Sequence, residues 1–366
     1  MSLTRRTMLT GMLAGGLGLA ACAPTEAAGP TVHDAGDGAG AAASPPATTP
    51  PAFPTLDRTI ATGLAVPWSL AFLPDGAALV SERETGRILR VDDAGAVDEV
   101  GVVPGVAPRG EGGLLGLALA PTGDALYAYL SSESDNRLVR MPFDGGIGAP
   151  EVLVSGIELA SNHQGGRLRF GPDGMLYVTV GDAADGALAQ DPDSLAGKIL
   201  RLDLDGQAAE GNPFGTRVWS LGHRNPQGLA WDGDRMWAAE FGQDTADELN
   251  RIEPGGNYGW PEVEGAGGGD RFVDPVVTWP TSQCSPSGLE IDRGVAYLCA
   301  LRGQGLWVVP LAGDGADEPR LAFGGELGRL RCVALAPDGA LWLTTSNRDA
   351  NGTPGADDDR ILRVVV

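Results

Sequence analysis

One type of segment recurs six times along this chain, and it strongly limits the folds that the chain can adopt. Each copy joins two short apolar stretches through a turn that is usually rich in Pro, Asp and Gly. The alternation predicts strands with a period of two, and glycine supplies the positive φ of a tight hairpin. The copies are LAFLPDGAALV from Leu70, LALAPTGDALY from Leu117, LRFGPDGMLYV from Leu168, LAWDGDRMWAA from Leu229, LEIDRGVAYLC from Leu289 and VALAPDGALWL from Val333.

The spacing of these hairpins predicts the fold class. One hairpin every 40 to 60 residues or so is typical of propeller blades with about four strands each. The abundance of Gly (56) and Pro (27) in 366 residues fits many short strands joined by tight turns. We therefore expect an all-β, six-bladed β-propeller with four-stranded antiparallel blades. Propellers usually gather their function at one mouth of the central channel, where loops converge.

The N-terminus has the features of a targeting segment. Arg5 and Arg6 precede an apolar run that ends in Leu-Ala-Ala-Cys22. The twin arginines resemble a Tat signal, and the last four residues resemble a lipobox, in which the cysteine becomes lipidated. These features predict a signal peptide over residues 1–21 and a protein that is exported and lipid-anchored at the outer side of the cell membrane, in the cell envelope.

Composition divides the rest of the chain. Residues 22–54 are rich in Ala, Pro and Gly and are interpreted as a flexible tether, in which His33 has no evident partner. Residues 55–366 are predicted to form the propeller. Beyond Cys22 there are three cysteines, of which two can pair in an oxidising compartment, and the sequence does not choose the pair: Cys284, Cys299 and Cys332.

Charge excludes one class of partner. With 26 basic and 48 acidic residues the net charge is −22, which argues against nucleic acid. It is compatible with cation binding or simply with solubility. Lys198 is the only lysine, so arginine must bind any anion.

A histidine and a carboxylate flank the third repeat. His163 comes just before its first strand and Asp182 just after its second. A hairpin returns its end close to its start, so the two side chains can meet, and an aspartate that orients an imidazole makes a general base. The alternative is a structural loop histidine with a turn-capping aspartate.

The fourth repeat has polar residues at the same positions. Before it, Arg224 is a candidate donor to an oxyanion or carbonyl, whereas a packed role for His223 is favoured over a catalytic one. After it, the segment Glu240–Glu248 carries acidic residues around a Gly turn, an arrangement that suits calcium. An acidic surface loop explains this segment equally.

Two arginines begin the sixth repeat. Arg329 and Arg331 lie two apart and so point to the same face of a strand, and Arg302 follows the fifth repeat. Adjacent cations repel unless an anion lies between them, so a ligand with several carboxylates is inferred. A solvated strand edge is the alternative.

Four blocks together resemble the soluble, PQQ-dependent quinoprotein glucose/sorbosone dehydrogenase family, and the resemblance runs from about Leu64 to the C-terminus. They are GGRLRFGPDG (Gly165–Gly174), LAGKILRLDLDG (Leu195–Gly206), GHRNPQGL (Gly222–Leu229) and GGNYGWP (Gly255–Pro261). The resemblance implies a six-bladed propeller that holds pyrroloquinoline quinone (PQQ) and Ca²⁺ at one channel mouth.

The resemblance also implies roles for single residues. His163 corresponds to the base, Asp182 to the carboxylate that holds it, and Arg224 to the arginine that polarises the quinone oxygen. Further cofactor contacts fall on Asn225, Arg302, Arg329 and Arg331. The carbonyls of Gly242 and Gln243 correspond to ligands of the cofactor's calcium. A second, structural calcium site falls on Glu248, Tyr258 and Asp270.

Departures from the family concentrate at the substrate end. Glu111 replaces a substrate-contacting Gln, and Asn162 replaces an acidic residue beside the base. Arg302 stands about where the glucose-oxidising member has Lys, and Gln243 stands where it has Pro, which leaves the backbone carbonyl intact. The resemblance therefore bears on the cofactor more directly than on glucose as the substrate.

The leading hypothesis is a PQQ- and calcium-dependent oxidoreductase that acts on an aldose or sugar-type alcohol and passes electrons to an acceptor in the envelope. Two alternatives are a calcium-dependent propeller lactonase and a non-catalytic propeller that binds a glycan or a protein at the cell surface. The lactonase reaction has no need for the Arg329/Arg331 pair.

The first prediction concerns the lipid anchor. Cys22→Ala removes the only thiol of the lipobox, so metabolic labelling with a fatty acid should be lost and the protein should leave the membrane fraction. Cys284→Ala is the control, because it alters a thiol outside the lipobox. Labelling that persists in Cys22→Ala would contradict the prediction.

Overall fold

The structure is a computed structural model that describes residues 28–33 and 53–366. The predicted signal peptide, Cys22 and most of the predicted tether lie outside the described residues. Within them, 26 strands form six antiparallel sheets arranged as the blades of a propeller, and helix is almost absent. The predicted fold class is confirmed. No described helix is long and apolar enough to cross a membrane.

The first three blades follow one another along the chain. Two short strands precede them, β1 (Thr31–Val32) and β2 (Thr55–Ala61). Blade 1 contains β3 (Pro67–Phe72), β4 (Ala78–Glu82), β5 (Arg87–Val91) and β6 (Val97–Val102). Blade 2 contains β7 (Leu114–Leu119), β8 (Ala125–Ser131), β9 (Asn136–Pro142) and β10 (Glu151–Ile157). Blade 3 contains β11 (Gly165–Phe170), β12 (Leu176–Val180), β13 (Lys198–Leu202) and β14 (Val218–Leu221), with helix α1 (Gly186–Gln190) between β12 and β13.

The last three blades each show a variation. Blade 4 contains β15 (Pro226–Asp232), β16 (Arg235–Glu240), β17 (Asp247–Ile252) and β18 (Val277–Trp279), with a 3₁₀ helix (Gly269–Arg271) before β18. Blade 5 contains β19 (Pro286–Asp292), β20 (Val295–Ala300), β21 (Gly305–Ala312), β22 (Gly315–Ala316) and β23 (Arg320–Ala322). Blade 6 contains β24 (Leu330–Leu335), β25 (Leu341–Thr345) and β26 (Ile361–Val365).

Each of the six repeats is the first hairpin of a blade. The repeat that starts at Leu70, for example, covers the end of β3, the turn and the start of β4. The first strands contact one another in the cyclic order β3, β7, β11, β15, β19, β24 and back to β3, so they form the wall of the central channel. The repeat in the sequence therefore corresponds to the two innermost strands of every blade.

Blade 6 closes the ring with a strand from the other end of the chain. β2 pairs antiparallel with β26, from Thr55 opposite Val365 to Ala61 opposite Ile361. Since β24 to β26 supply only three strands, β2 completes the blade. The start and end of the propeller are thus held together by backbone hydrogen bonds.

Part of the predicted tether is ordered against blade 4. β1 pairs with β18, and His33 hydrogen-bonds through Nε2 to the hydroxyl of Thr278 at 2.9 Å. Residues 31–33 therefore depart from the interpretation of 22–54 as a flexible segment without partners. The reason is that an edge strand offers unpaired backbone groups to any short extended segment, whatever its composition.

The cysteines also differ from one expectation. Cys284, Cys299 and Cys332 are all buried and none forms a disulfide. They lie within the apolar core of the inner blades, where burial raises the pKa of the Cys284 and Cys299 thiols well above the ordinary value. Such thiols are inert packing groups.

Close approach of the inner strands requires small residues. The position just before each repeat carries a small residue in five blades and an arginine, Arg167, in blade 3; the small residues are Ser69, Gly116, Gly228, Gly288 and Cys332. A Cβ on Gly228 would lie 2.6 Å from the carbonyl oxygen of Ser287, and one on Gly288 would lie 2.8 Å from Cα of Cys332. Backbone of the next blade fills the space that a side chain would need.

The second prediction tests this packing. Gly228→Ala should destabilise the propeller by about 2–3 kcal/mol, because the added methyl group meets backbone that cannot retreat without moving blade 5. Gly315→Ala is the control: the nearest atom to its added Cβ lies at 3.6 Å, so a change of less than about 0.5 kcal/mol is expected. Guanidinium-induced unfolding followed by fluorescence measures both, and equal stabilities would contradict the prediction.

Candidate active site

Two kinds of loop meet at one mouth of the propeller. They are the loop that enters the first strand of a blade and the loop that leaves the second strand. Because the two strands are antiparallel neighbours, both loops lie at the same end of every blade. Together they enclose a cavity of about 540 Å³. Its lining comprises Trp68, Arg83, Gly110, Glu111, Leu115, Ser161, Gln164, Gly165, Gln227, Phe241, Ser285, Leu301, Arg302, Arg329, Arg331, Asp349, Ala350 and Asn351.

His163 and Asp182 meet as the sequence predicted. Nδ1 of the imidazole lies 2.7 Å from Oδ1 of the carboxylate, and both side chains are buried. Pairing of Gly165 with Val180 in the hairpin β11–β12 brings the two loops together. Asp182 also accepts a hydrogen bond from the backbone N–H of Ala184 at 2.8 Å, which fixes its orientation.

This pairing assigns the two nitrogens of the His163 ring. With Nδ1 turned to a carboxylate, Nδ1 is the donor and Nε2 is left as the acceptor in the neutral ring. The residues on either side, Ser161, Gln164 and Gly165, line the cavity, whereas His163 itself lies just behind the wall. The dyad therefore has the tautomer that a general base requires.

The two residues predicted at the substrate end lie beside His163. Glu111 lines the cavity, and its Oε2 accepts a hydrogen bond from the backbone N–H of His163 at 3.0 Å. Asn162 is half-buried, and its carbonyl accepts a hydrogen bond from the side chain of Gln164 at 3.0 Å. Glu111 thus anchors the histidine loop and also presents a carboxylate at the cavity.

Arg224 lies over the loop that follows β16. Its guanidinium donates to the carbonyl of Gly242 at 2.7 Å and to the side-chain oxygen of Gln243 at 2.5 and 3.0 Å. Burial lowers the pKa of Arg224, and the carboxylates of Asp182 and Glu240 oppose this effect. In this structure the arginine therefore contacts both residues that were predicted to hold calcium, but only one of their backbone carbonyls, that of Gly242.

Asn225 plays a supporting part. It is buried, and its Oδ1 accepts a hydrogen bond from the backbone N–H of Gly165 at 3.0 Å. It does not line the cavity, but it holds a glycine that does. This hydrogen bond connects the loop that enters blade 4 to the loop that carries His163.

Glu264 organises the Gly242–Gln243 loop, and no pattern in the sequence had pointed to this residue. Its Oε1 accepts hydrogen bonds from four consecutive backbone N–H groups, those of residues 243–246, at 2.6 to 3.2 Å. Burial opposes the charge, but these donors outweigh it and lower the pKa of Glu264. In planar trans peptides the carbonyls of Gly242 and Gln243 then point away from Glu264.

Arginines line the wall of the cavity opposite the dyad. Arg302 is exposed at the rim, Arg329 is half-buried, and Arg331 and Arg83 are buried. Burial, then repulsion from Arg83, lowers the pKa of Arg331 to about 10. The Nε atoms of Arg83 and Arg331 are buried without a hydrogen-bond partner. This wall can accept an anion with several carboxylates.

Asp349 corrects one step of the sequence argument. The sequence predicts that Arg329 and Arg331 need an external anion between them, but Oδ2 of Asp349 lies 3.1 Å from the first guanidinium and 3.4 Å from the second. Burial disfavours the charge on Asp349, yet Arg331 and Arg329 outweigh this effect and lower its pKa. Glu84 lies 3.0 Å from Arg83, so two carboxylates partner the four arginines and the wall stays cationic.

The residues predicted for a structural calcium are only partly brought together. Glu248 and Tyr258 line a small void next to Glu240 and Glu264, whereas Asp270 is exposed on the 3₁₀ helix and does not reach it. Burial, then the nearby charge of Glu240, raises the pKa of Glu248 to about 8. Among the described residues, no group of three or more His, Cys, Asp or Glu side chains has metal-binding geometry.

His223 is a packed histidine, in line with the favoured interpretation. Its ring is fully buried between Ser220 Oγ and Glu240 Oε2, each at 2.8 Å, and it stacks on Tyr258 with the ring centres 4.7 Å apart. Both nitrogens are used within the protein. The imidazole therefore has no free position for a substrate.

One signal in the sequence would have found more of the site. Arg83 follows β4, just as Asp182 follows β12 and Arg302 follows β20. Extending the same rule to blade 6 leads to the segment after β25, which carries Asp349. Position relative to the repeat was thus more informative than residue type.

Fold and site together define a propeller with an arginine-lined cavity beside a His–Asp dyad, and comparisons with known proteins agree. The glucose/sorbosone dehydrogenase family model matches residues 64–356. An uncharacterized protein of Synechocystis is 32% identical, with 81% of this chain and 84% of that protein covered. Quinoprotein glucose dehydrogenase B of Acinetobacter calcoaceticus is 34% identical over 57% of this chain and 52% of its own length.

A solved structure is similar over the whole propeller. The PQQ-bound form of aldose sugar dehydrogenase from Streptomyces coelicolor is 52% identical and has a TM-score of 0.84, with 87% of this chain and 99% of that chain covered. The chain therefore belongs to the glucose/sorbosone dehydrogenase family. This membership confirms the predicted class, that of quinoprotein sugar dehydrogenases.

Proposed function

We propose that this protein is a PQQ- and Ca²⁺-dependent dehydrogenase that oxidises an aldose or a sugar-type alcohol, with His163 as the general base. The observation that carries the proposal is a cavity with four arginines on one wall and a His–Asp dyad behind the other. When bound, the quinone supplies the carbonyl carbon that accepts hydride from the substrate. All other tasks fall to side chains of this chain.

The arginine wall fits the quinone by charge. PQQ carries three carboxylates, and the wall offers more positive than negative charge: four arginines (Arg83, Arg302, Arg329 and Arg331) against the carboxylates of Asp349 and Glu84. The unpaired Nε atoms of Arg83 and Arg331 are buried donors that a carboxylate would satisfy. These residues would hold the cofactor and orient it towards the dyad.

The dyad would take the proton of the substrate hydroxyl at Nε2 of His163. Asp182 stabilises the imidazolium that forms, because its carboxylate lies 2.7 Å from Nδ1. Arg224 would polarise the oxygen of the reacting carbonyl, and its present bonds to Gly242 and Gln243 place it at the edge of the neighbouring void. Asn225 would support the site through Gly165.

The oxygen atoms of the Gly242–Gln243 loop fit a calcium ion beside the cofactor. Calcium prefers hard oxygen ligands, including backbone carbonyls, and Glu264 turns these carbonyls outward. A second ion would suit Glu248 and Tyr258, where the fully buried Asn250 leaves its Oδ1 without a partner next to Glu248. Asp270 would have to move to join that site.

The remaining assignments concern the substrate and the cell. Glu111 and Asn162 offer carboxylate and amide oxygens to sugar hydroxyls at the substrate end. We infer that the protein is held by lipidated Cys22 at the outer side of the cell membrane, where it passes electrons to an acceptor in the envelope. Its strong negative charge speaks against nucleic acid as a partner.

The third prediction tests the cofactor. Apoprotein titrated with PQQ in the presence of Ca²⁺ should show saturable binding, and Arg329→Ala/Arg331→Ala should weaken it at least ten- to a hundred-fold. Charge-assisted hydrogen bonds contribute about 1.5–3 kcal/mol each, and ~1.4 kcal/mol is a factor of ten. Arg90→Ala is the control, since this exposed arginine pairs with Asp75 on the outside of blade 1.

Two results would count against the cofactor assignment. Absence of saturable uptake by the wild-type protein would favour a lactonase or a binding module. Unchanged affinity in the double arginine variant would place the binding site elsewhere. A chelator added during the titration tests whether Ca²⁺ is part of the site, and we expect it to lower the affinity.

The fourth prediction separates the two buried histidines. With PQQ and Ca²⁺ bound, His163→Ala should reduce dye reduction across a panel of sugars by roughly 10²–10⁴-fold while PQQ affinity is retained. His223→Ala should act mainly on stability, because that ring is packed between Ser220, Glu240 and Tyr258. An active His163→Ala protein would refute the assignment of the base.

A further inference from the structure

The carboxylate of Asp182 has a second side-chain contact, besides His163, that the proposed chemistry does not yet use. Its Oδ1 binds His163, whereas its Oδ2 accepts a hydrogen bond from the indole Nε1 of Trp260 at 2.8 Å. Trp260 lies 78 positions further along the chain and belongs to another blade's loop. Both oxygens of this buried carboxylate are thus directed by named donors.

The indole of Trp260 is held by its surroundings. The backbone N–H of Trp260 donates to Gly222 O at 3.0 Å, and its carbonyl accepts from Gln190 Nε2 at 2.7 Å. Gly186, at the start of α1, leaves room for the ring: a Cβ there would lie 3.1 Å from Nε1 of Trp260 and 2.9 Å from Cβ of Pro261. A side chain fixed this firmly can orient another.

The same ring also contacts the second predicted catalytic residue. The guanidinium carbon of Arg224 lies 5.4 Å from the centre of the Trp260 ring, within range of a cation–π contact. The charged groups facing the dyad are Arg224 and the carboxylate of Glu111, which bonds the backbone of His163. Trp260 is therefore the neutral side chain that touches both Asp182 and Arg224.

We propose that Trp260 is a positioning residue for the reaction, acting through its indole N–H on Asp182 and through its ring on Arg224. The inference rests on the proposed function, since it assumes that His163 is the base. A donor to the second oxygen stabilises the charged carboxylate and holds it in the plane that His163 needs. Removal of this donor should therefore raise the proton affinity of the dyad, whose two members titrate as one unit.

Trp260→Phe keeps an aromatic ring and removes the donor. We expect kcat to fall about ten-fold with KM changed little, because the group acts through Asp182 and does not touch the sugar. The acid limb of the pH profile should move up by roughly one pH unit. The sign follows because loss of a donor to the anion raises the proton affinity of the dyad, and the base acts only when unprotonated.

Trp237→Phe is the matched control. Its ring lies in the core of the same blade, fully buried, and its indole N–H has no hydrogen-bond partner. We expect some loss of stability, with kcat and the acid limb unchanged. If this control moves the acid limb as far as Trp260→Phe does, the effect belongs to general packing and the proposal fails.

A measurement without activity keeps this test independent of the proposed function. The chain has only three histidines, so NMR can follow the imidazole of His163 through a pH titration of the apoprotein, with His33 and His223 variants for assignment. Trp260→Phe should raise the midpoint of His163. Gly186→Ala, which presses on the indole without deleting it, should shift the midpoint in the same direction by less.

The outcomes separate the two ideas. If the His163 midpoint shifts but no sugar is oxidised by the wild-type holoprotein, the positioning of the dyad stands and the proposed function fails. If both Trp260→Phe and Gly186→Ala leave the midpoint and kcat at wild-type values, Trp260 is a packing residue and the inference is overturned.

Discussion

The close contact of the six inner strands is the constraint on which this structure depends. At Gly228 and Gly288 the backbone of one blade occupies the space of a side chain on the next, so neighbouring blades cannot separate or slide freely. Since the inner strands are fixed in a ring, the loops at their entrances are fixed too. Residues as distant in sequence as Glu111 and Asp349 then line one cavity.

The buried arginines of the site lower the stability of the folded protein. Arg331 is buried close to Arg83, and it shares the carboxylate of Asp349 with Arg329, so its charge is only partly compensated. A buried cation without a full partner costs free energy, which a rigid scaffold can sustain because the surrounding blades determine its position. A ligand with several carboxylates would remove this cost on binding. The buried, unpaired Nε atoms of Arg83 and Arg331 are donors that such an anion would satisfy.

Local patterns in the sequence predicted the blades and the His163–Asp182 pair, because both depend on a single hairpin. Those patterns did not predict contacts between residues that are far apart in the sequence. Trp260 reaches Asp182 from a different blade, and the order of β1 against β18 depends on an edge that only the folded sheet creates. Asp349 was missed for another reason, since residue type was read without its position relative to the repeat. The sequence alone therefore predicts the features that a single blade determines, and it does not predict those that depend on contacts between blades.

Arg167 shows how one exception to the repeat can define the site. Five of the six equivalent inner positions carry Gly, Ser or Cys, whereas this arginine extends across the channel. It donates to the carbonyl of Gln227 at 2.8 Å and lies 4.1 Å from the centre of the Trp68 ring, and Trp68 and Gln227 both line the cavity. The void left among its neighbours is only about 10 Å³, about the room of one water molecule. A small residue here would leave the channel less filled, so this single large side chain supports Trp68 and Gln227 in the wall of the cavity.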